Sequence, residues 1–175
     1  MKRIGLLSDT HGSLHDRLFS FFEPVDEIWH AGDFGCLEVA DRLTAFRPLR
    51  GVYGNIDGQD VRVDFPGHLR FFCEQVDVWI THSGGYPGRY NREIFPELLA
   101  NPPKLFISGH SHILKVIYDK KLELLHMNPG AAGYKGFHKV CTAMRFVVEG
   151  KNIKDLEIWE IDRDDFTKSE INQLK

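Results

Sequence analysis

Five short apolar runs in this chain each end in a motif rich in metal-binding side chains, and no other feature restricts the fold as much. The runs are Ile4-Gly5-Leu6-Leu7, Ile28-Trp29, Val52-Tyr53, Val76 to Ile80, and Leu105-Phe106-Ile107. The motifs that follow them are Asp9-Thr10-His11, Gly32-Asp33, Gly54-Asn55, Thr81-His82 and Gly109-His110-Ser111-His112. The runs read as strands, and in open α/β sheets ligands bind beyond the carboxyl ends of strands. Seven oxygen and nitrogen donors, spread from position 9 to position 112, can therefore converge on one sheet edge.

The rest of the chain supplies the frame. Lys2 to Ser8 reads as the first strand. Ser13 has the spacing of a helix N-cap with Asp16 three residues on, and Leu14, Leu18, Phe21 and Phe22 then form one apolar helical face that Pro24 ends. Val25 to His30 is a strand, Cys36 to Phe46 a helix with Val39, Leu43 and Phe46 inward, and Leu49 to Tyr53 a third strand. Strand–helix alternation favours a parallel sheet. Val61 to Phe72 reads as two short strands around Pro66-Gly67, with the aromatics of Phe65 to Phe72 as core. Glu93 to Ala100 reads as a short helix. Strands follow at 104–108, 113–118, 122–127, 140–148 and 153–161, with hairpin turns at Asp119-Lys120-Lys121 and Gly150-Lys151-Asn152. Two packed sheets flanked by helices accommodate both halves. The expected organisation is one domain over 1–162 and a polar tail over 163–175.

Composition excludes several classes. A net charge of −3 offers no broad basic field for a nucleic-acid backbone, so no long nucleic acid is expected as a partner. No apolar stretch is long enough to span a bilayer. The Met1-Lys2-Arg3 start runs straight into a ligand-bearing strand, which is not the pattern of a signal peptide. Cys36, Cys73 and Cys141 match no zinc or disulfide spacing and read as reduced thiols of a cytoplasmic protein.

The chemistry comes from the donor types. Asp9 and His11 lie two apart, so alternation in an extended segment would turn both to one side; His110 and His112 repeat that spacing. Carboxylate, amide and imidazole donors without a thiol suit Mn²⁺, Fe²⁺, Zn²⁺ or Ni²⁺, and argue against a closed structural zinc site. Seven donors exceed the needs of one ion and suit two, with one carboxylate bridging. Two ions about 3.5–4 Å apart can clamp the attacking and leaving oxygens of a phosphoryl transfer. Such a centre is net positive and attracts an anionic phosphate ester.

Taken in order, Asp-x-His, Gly-Asp, Gly-Asn, His and Gly-His-x-His resemble the calcineurin-like metallophosphoesterases, and most of all their small bacterial and archaeal phosphodiesterase branch. The Leu6 to Gly12 opening and the Asn128-Pro129-Gly130 loop are similar to that branch as well, and the resemblance covers residues 2 to about 150. It implies an α/β fold, an αββα sandwich of two mixed sheets flanked by helices. It implies that Asp9, His11 and His112 hold one ion, that Asn55, His82 and His110 hold a second, and that Asp33 bridges them. It further implies a binuclear hydrolase of small phosphate esters acting through a metal-bridging hydroxide, with Mn²⁺ first among the metals, Asp33, Asn55, His82 and His110 at the reacting phosphate, and a dimer or tetramer.

Two positions depart from the family pattern. Many members carry a leaving-group histidine directly after Gly-Asn; here Ile56 stands there and cannot donate a proton. Proton delivery contributes about 10²–10⁴-fold in typical sites, so monoesterase activity should be weak and diesters favoured. His15 and Asp57 are candidates to replace the missing donor. After His82, where many members have a second histidine, the chain runs Ser83 to Tyr90. There Arg89 could reach a phosphate and Tyr86 and Tyr90 could stack on a base, or the segment is an ordinary surface loop.

Among the other histidines, His30 is a candidate to orient Asp33, and His15, His68, His126 and His138 read as structural or solvent-facing. The competing function is a protein-binding scaffold, since a eukaryotic retromer subunit resembles this fold and has lost effective catalysis. Such a scaffold would show missing ligands and an exposed apolar patch, whereas all seven ligands are present.

Overall fold

The computed structural model describes residues 1–166. Its strands are β1 (Lys2–Leu7), β2 (Glu27–His30), β3 (Leu49–Gly51), β4 (His68–Cys73), β5 (Val76–Thr81), β6 (Gly85–Tyr86), β7 (Arg89–Tyr90), β8 (Leu105–Ile107), β9 (Leu114–Asp119), β10 (Leu124–Pro129), β11 (Val140–Glu149) and β12 (Asn152–Asp162). The helices are α1 (Asp16–Phe21), α2 (Leu37–Phe46), α3 (Gln59–Asp64) and α4 (Phe95–Ala100). The strands form two mixed five-stranded sheets, ordered β12-β11-β1-β2-β3 and β4-β5-β8-β10-β9, and β6 and β7 make a small hairpin.

Alternation along the strands builds three apolar layers. Ile4, Leu6, Trp29, Met144 and Phe146 of the first sheet meet Val78, Ile80, Leu105, Ile107 and Met127 of the second, all fully or almost fully buried. The opposite face of the first sheet carries Leu7, Ile28 and Ala143 against Leu18, Val39 and Leu43 of α1 and α2. The outer face of the second packs Trp79, Phe106 and Leu124 on Leu98 of α4. The result is the expected αββα sandwich. No helix among the described residues is long and apolar enough to cross a membrane.

Register brings the donor motifs together. Leu7 pairs with His30 and His30 with Gly51, both in parallel, so β1, β2 and β3 end at one level. Ile107 is level with Ile80 and with Met127 in the second sheet. The loops after β1, β2, β3, β5 and β8 thus leave the sandwich at the same edge, the arrangement that creates binding crevices in α/β sheets.

Several local readings are corrected. Ser13 does not cap α1; its hydroxyl donates to the Thr10 carbonyl at 2.9 Å, and the cap is His15, whose Nδ1 accepts from Arg17 N–H at 3.1 Å. Val61 to Asp64 belongs to helix α3, with Val61 buried and Val63 exposed. The alternating valines imitate a strand, but Val61 packs into the core from a helix, and tertiary context overrides β propensity. Phe71 packs edge-on to Trp29 as expected, whereas Phe72 faces solvent. Residues 163–166 open a helical turn that buries Phe166 against His15, so the polar tail starts from an anchored aromatic; its remainder lies outside the described residues.

Candidate metal centre

All seven predicted donors meet at the shared sheet edge. The loop after β1 is zipped to the loop after β2 by hydrogen bonds from Asp9 N–H to Gly32 O, from His11 N–H to Asp33 O and from Gly12 N–H to Phe34 O. The loop after β8 is tied to β5 by Gly109 N–H donating to His82 O at 2.9 Å, and to β1 by His110 N–H donating to Asp9 Oδ2 at 3.0 Å. Asp9, His11 and His112 form one group, with His112 Nε2 3.1 Å from Asp9 Oδ1 and 3.2 Å from His11 Nε2. Asn55, His82 and His110 form another, with Asn55 Oδ1 3.1 Å from His82 Nε2 and 2.9 Å from His110 Nδ1. Asp33 Oδ2 faces a ring of each group, 3.7 Å from His11 Nε2 and 3.3 Å from His82 Nε2. Considering His, Asp, Glu and Cys donors alone, the tightest clusters among the described residues are Asp9–His11–His112 and Asp9–Asp33–His82, so Asp9 too lies between the groups.

The backbone carries unusual strain here. Asp9, His11, Asp33, His110 and His112 all have φ between +47° and +67°. A left-handed conformation costs a non-glycine residue roughly 1–2 kcal/mol, and such residues cluster at functional sites. The finding also overturns the idea that Asp9 and His11 face one way because an extended strand alternates. Both sit past the end of β1 in a curled loop, and the curl aims them.

These donors fit a cation. Asp9 Oδ2 accepts from the Ser8 hydroxyl at 2.6 Å as well as from His110 N–H, but Asp9 Oδ1 is buried without a hydrogen-bond partner. A buried, unpaired carboxylate oxygen is costly in a low-dielectric interior and is the expected state of a metal ligand. His82 Nδ1 donates to Ala31 O at 2.8 Å, which leaves the Nε2 lone pair aimed at Asp33 and Asn55, the orientation typical of a metal-bound imidazole. Burial alone would raise the Asp9 carboxyl, but the His11 and His112 rings, when their facing nitrogens carry protons, outweigh it and hold it below the usual carboxylate range. Asp33 is likewise low, because the His82 ring in its protonated form and the Ile56 N–H offset its burial. Both carboxylates are therefore anionic at neutral pH, as cation binding requires.

Supporting residues hold the loops. Thr10 is fully buried, and its hydroxyl lies 3.3 Å from Asp33 O, 3.0 Å from Phe34 O and 3.0 Å from His30 Nε2. His30 accepts from Gly32 N–H through Nδ1 and stacks on Phe34, and burial pushes its pKa down to about 3. It shapes the backbone before Asp33 and does not touch the carboxylate. Asn128 Nδ2 donates to Gly109 O at 2.8 Å and to Ser111 Oγ at 3.1 Å, bracing the His110 loop. The Asn-Pro-Gly motif stood out in the sequence only by its resemblance to the family branch, and this bracing role comes from the fold. His138, which meets His112, left no comparable signal, because a lone histidine in a glycine-rich loop looks like any other.

Neither proposed substitute for the leaving-group histidine is placed for that task. His15 is the buried cap of α1. Asp57 is buried with both oxygens engaged, Oδ1 accepting from Gly35 N–H at 2.8 Å and Oδ2 from Gly54 N–H at 2.7 Å. It staples the loops that carry Asp33 and Asn55. Asp57→Ala would leave two loop amides without their acceptor and is expected to cost about 3 kcal/mol. Urea denaturation checks this, and a loss below about 1 kcal/mol would show that the staple is dispensable.

Ser83 lines a cleft with Asn55 and His82, and the rest of the segment folds as the β6–β7 hairpin. The Tyr90 hydroxyl donates to Asp119 at 2.7 Å and its ring stacks on Phe95; Arg89 lines a separate cavity of about 410 Å³ with them. Tyr86 lies under the Lys115 ammonium at 3.6 Å. Two other cavities flank the centre. One of about 680 Å³ is lined by His11, His110 and His112 with Lys135, Ile113 and Phe137, and one of about 200 Å³ by Asn55 and His82 with Arg62 and His68.

Comparison with known proteins agrees with this geometry. A family model for the calcineurin-like phosphoesterase superfamily domain matches residues 1–151. A probable metallophosphoesterase of Methanothermobacter thermautotrophicus is 28% identical over 135 residues, covering 73% of this chain and 76% of its own. Among solved structures, one described as a novel archaeal phosphodiesterase superposes with a TM-score of 0.70 at 20% identity, covering 91% of this chain and 99% of that one. Vps29 of Entamoeba histolytica complexed with Zn²⁺ superposes with a TM-score of 0.70 at 14% identity, covering 92% and 99%. At such identities the two structures speak for the fold alone, but the match over residues 1–151 reaches the protein's lineage: the chain belongs to the calcineurin-like phosphoesterase superfamily.

Proposed function

We propose that this protein is a binuclear metal-dependent phosphodiesterase that hydrolyses a small phosphate diester. The reading is carried by one observation, two groups of donors that face each other across Asp33 with the Asp9 Oδ1 oxygen left bare. Asp9, His11 and His112 would hold one divalent ion and Asn55, His82 and His110 the other, with Asp33 shared; Mn²⁺ is the first choice for these oxygen and imidazole donors. Bound ions supply Lewis-acid stabilisation of the phosphate and a nucleophile at neutral pH. The chain itself fixes the donors by backbone hydrogen bonds, so little reorganisation accompanies reaction. His82 and His110 lie beside the phosphate position and stabilise developing charge.

Two features support a diester. Ile56 is 47% exposed where the leaving-group acid would sit, so a poor leaving group receives no proton from that position. A cleft on each side of the centre matches a phosphate with two organic arms. In the larger cleft, Ile113 and the fully exposed Phe137 offer an apolar wall and Lys135 a cation, which suits an arm that joins an aromatic group to a further negative charge. The three free cysteines fit the reducing cytoplasm as the place of action.

The test is hydrolysis of an aryl phosphodiester and its monoester by metal-stripped protein with Mn²⁺ or Ni²⁺ returned. Diester turnover is expected to exceed monoester turnover by at least about tenfold, and alkyl diesters to be slower by about 10²–10⁴-fold, since position 56 supplies no proton to the leaving group. Equal monoester turnover would refute the Ile56 argument. If no metal restores turnover, the scaffold reading takes over. It is favoured by edge strand β9, where Val116, Ile117 and Tyr118 are exposed and available for strand addition.

A further inference from the structure

We infer that His138 is a positioning residue of the metal centre, setting the tautomer of His112 through a two-ring relay that ends on the Gly133 carbonyl. The inference rests on the binuclear reading above. His112 Nδ1 lies 3.1 Å from His138 Nδ1, and the rings meet edge-on at 71° with centroids 5.0 Å apart. His138 Nε2 lies 2.8 Å from Gly133 O. A carbonyl only accepts, so the His138 proton is on Nε2, and the Nδ1 of that neutral ring can only accept. The contact between the rings then requires the His112 proton on Nδ1. His112 Nε2 is left with a bare lone pair, and this is the nitrogen that faces Asp9 Oδ1 at 3.1 Å. The opposite tautomer would place a proton where the cation has to sit.

Local structure is shaped to permit the relay. At Gly136 φ is +144°, and a Cβ there would lie 2.5 Å from His112 Nδ1 and 2.9 Å from His138 Nδ1. Any side chain at that position would wedge the two rings apart. The Gly133 carbonyl that ends the relay is itself fixed, because Gly133 N–H donates to Asp9 O at 3.2 Å and Cys141 Sγ donates to the same carbonyl at 3.2 Å. The chain therefore runs from the Asp9 loop through Gly133 and His138 to His112 and back to the Asp9 carboxylate. His82 reaches the same tautomer with a single carbonyl, that of Ala31. His112 lines the large cleft and meets a second imidazole in place of a carbonyl.

The test is calorimetric Mn²⁺ titration of metal-stripped wild type, His138→Ala and His138→Asn. Loss of a hydrogen-bond partner behind a ligating histidine typically weakens metal binding about 10–100-fold. H138A should therefore weaken one of two Mn²⁺ steps by that factor and spare the other. H138N keeps an oxygen acceptor near the Nδ1 position and should recover most of the loss, which general loosening of the loop would not allow. Nitrogen NMR of metal-free wild type should show the proton on Nδ1 of His112 and on Nε2 of His138, a readout that holds even if H138A does not fold. Unchanged Mn²⁺ affinity in H138A, or a proton on Nε2 of His112 in wild type, overturns the relay alone. Wild type that binds no metal overturns the binuclear reading and the relay with it.

Discussion

Asp33→Ala is expected to lower metal-dependent phosphodiester turnover by at least about 10³-fold while the protein stays folded. Of its two oxygens, Oδ1 accepts from Ile56 N–H at 3.1 Å, and Oδ2 faces His11 on one side and His82 on the other. Alanine removes the anion between the two donor groups and, with it, the carboxylate that would hold two ions at a fixed spacing under the proposed mechanism. Its cost to folding is smaller, since Ile56 lies at a half-exposed loop where water can replace the lost acceptor. Asp33→Asn separates charge from shape. It keeps the Ile56 contact but removes the negative charge, so its turnover should lie near that of alanine while its melting temperature stays near wild type. Steady-state rates at saturating Mn²⁺, with thermal melts as the control, decide the matter. Turnover within tenfold of wild type in both variants would remove Asp33 from the reacting centre.

Gly54→Ala is expected to destabilise the fold by about 3 kcal/mol and to weaken metal binding. A Cβ at this position would lie 2.0 Å from Asp33 Oδ1, 2.4 Å from Asp33 N and 2.7 Å from Asp33 Cγ. A flexible side-chain end could move aside, but the Asp33 amide is backbone in a loop tied to Thr10 and His11. The strain therefore spreads into the donors themselves. Urea unfolding measures the first effect and Mn²⁺ titration the second. A variant as stable as wild type, with unchanged metal affinity, would mean that the loop after β3 yields freely and that the close contact with Asp33 is not required.

Much of this protein could be read from one dimension. The strands β1, β2, β5 and β8 announced themselves as apolar runs, α2 as a periodic face ending near Pro48, and the two late hairpins through their polar turns. Each of those signals is local, so nearest-neighbour chemistry suffices to produce it. The errors fell where local preference lost to a distant partner. Val61 and Val63 alternate with charged residues and look like a strand, yet the segment became α3, with Val61 packed into the core and Val63 turned to solvent. Ser13 has a capping spacing, but Thr10 O took its hydroxyl and His15 became the cap. Asp57 looked like a spare acid and proved to be a staple between Gly35 and Gly54.

The same division runs through the site. The donor set itself, seven oxygen and nitrogen donors without a thiol at five strand ends, follows from the sequence, because residue chemistry and position after a strand are properties of the chain alone. How those donors act was decided in three dimensions. Left-handed backbone at five of them aims side chains that strand alternation would have aimed elsewhere. The bare Asp9 oxygen, the close passage of Gly54 over Asp33 and the path from Gly133 through His138 to His112 join residues up to a hundred positions apart. Distances and proton positions at that separation are set by how the two sheets pack and by which hydrogen bonds their loops must satisfy. No periodicity or propensity along the chain encodes them.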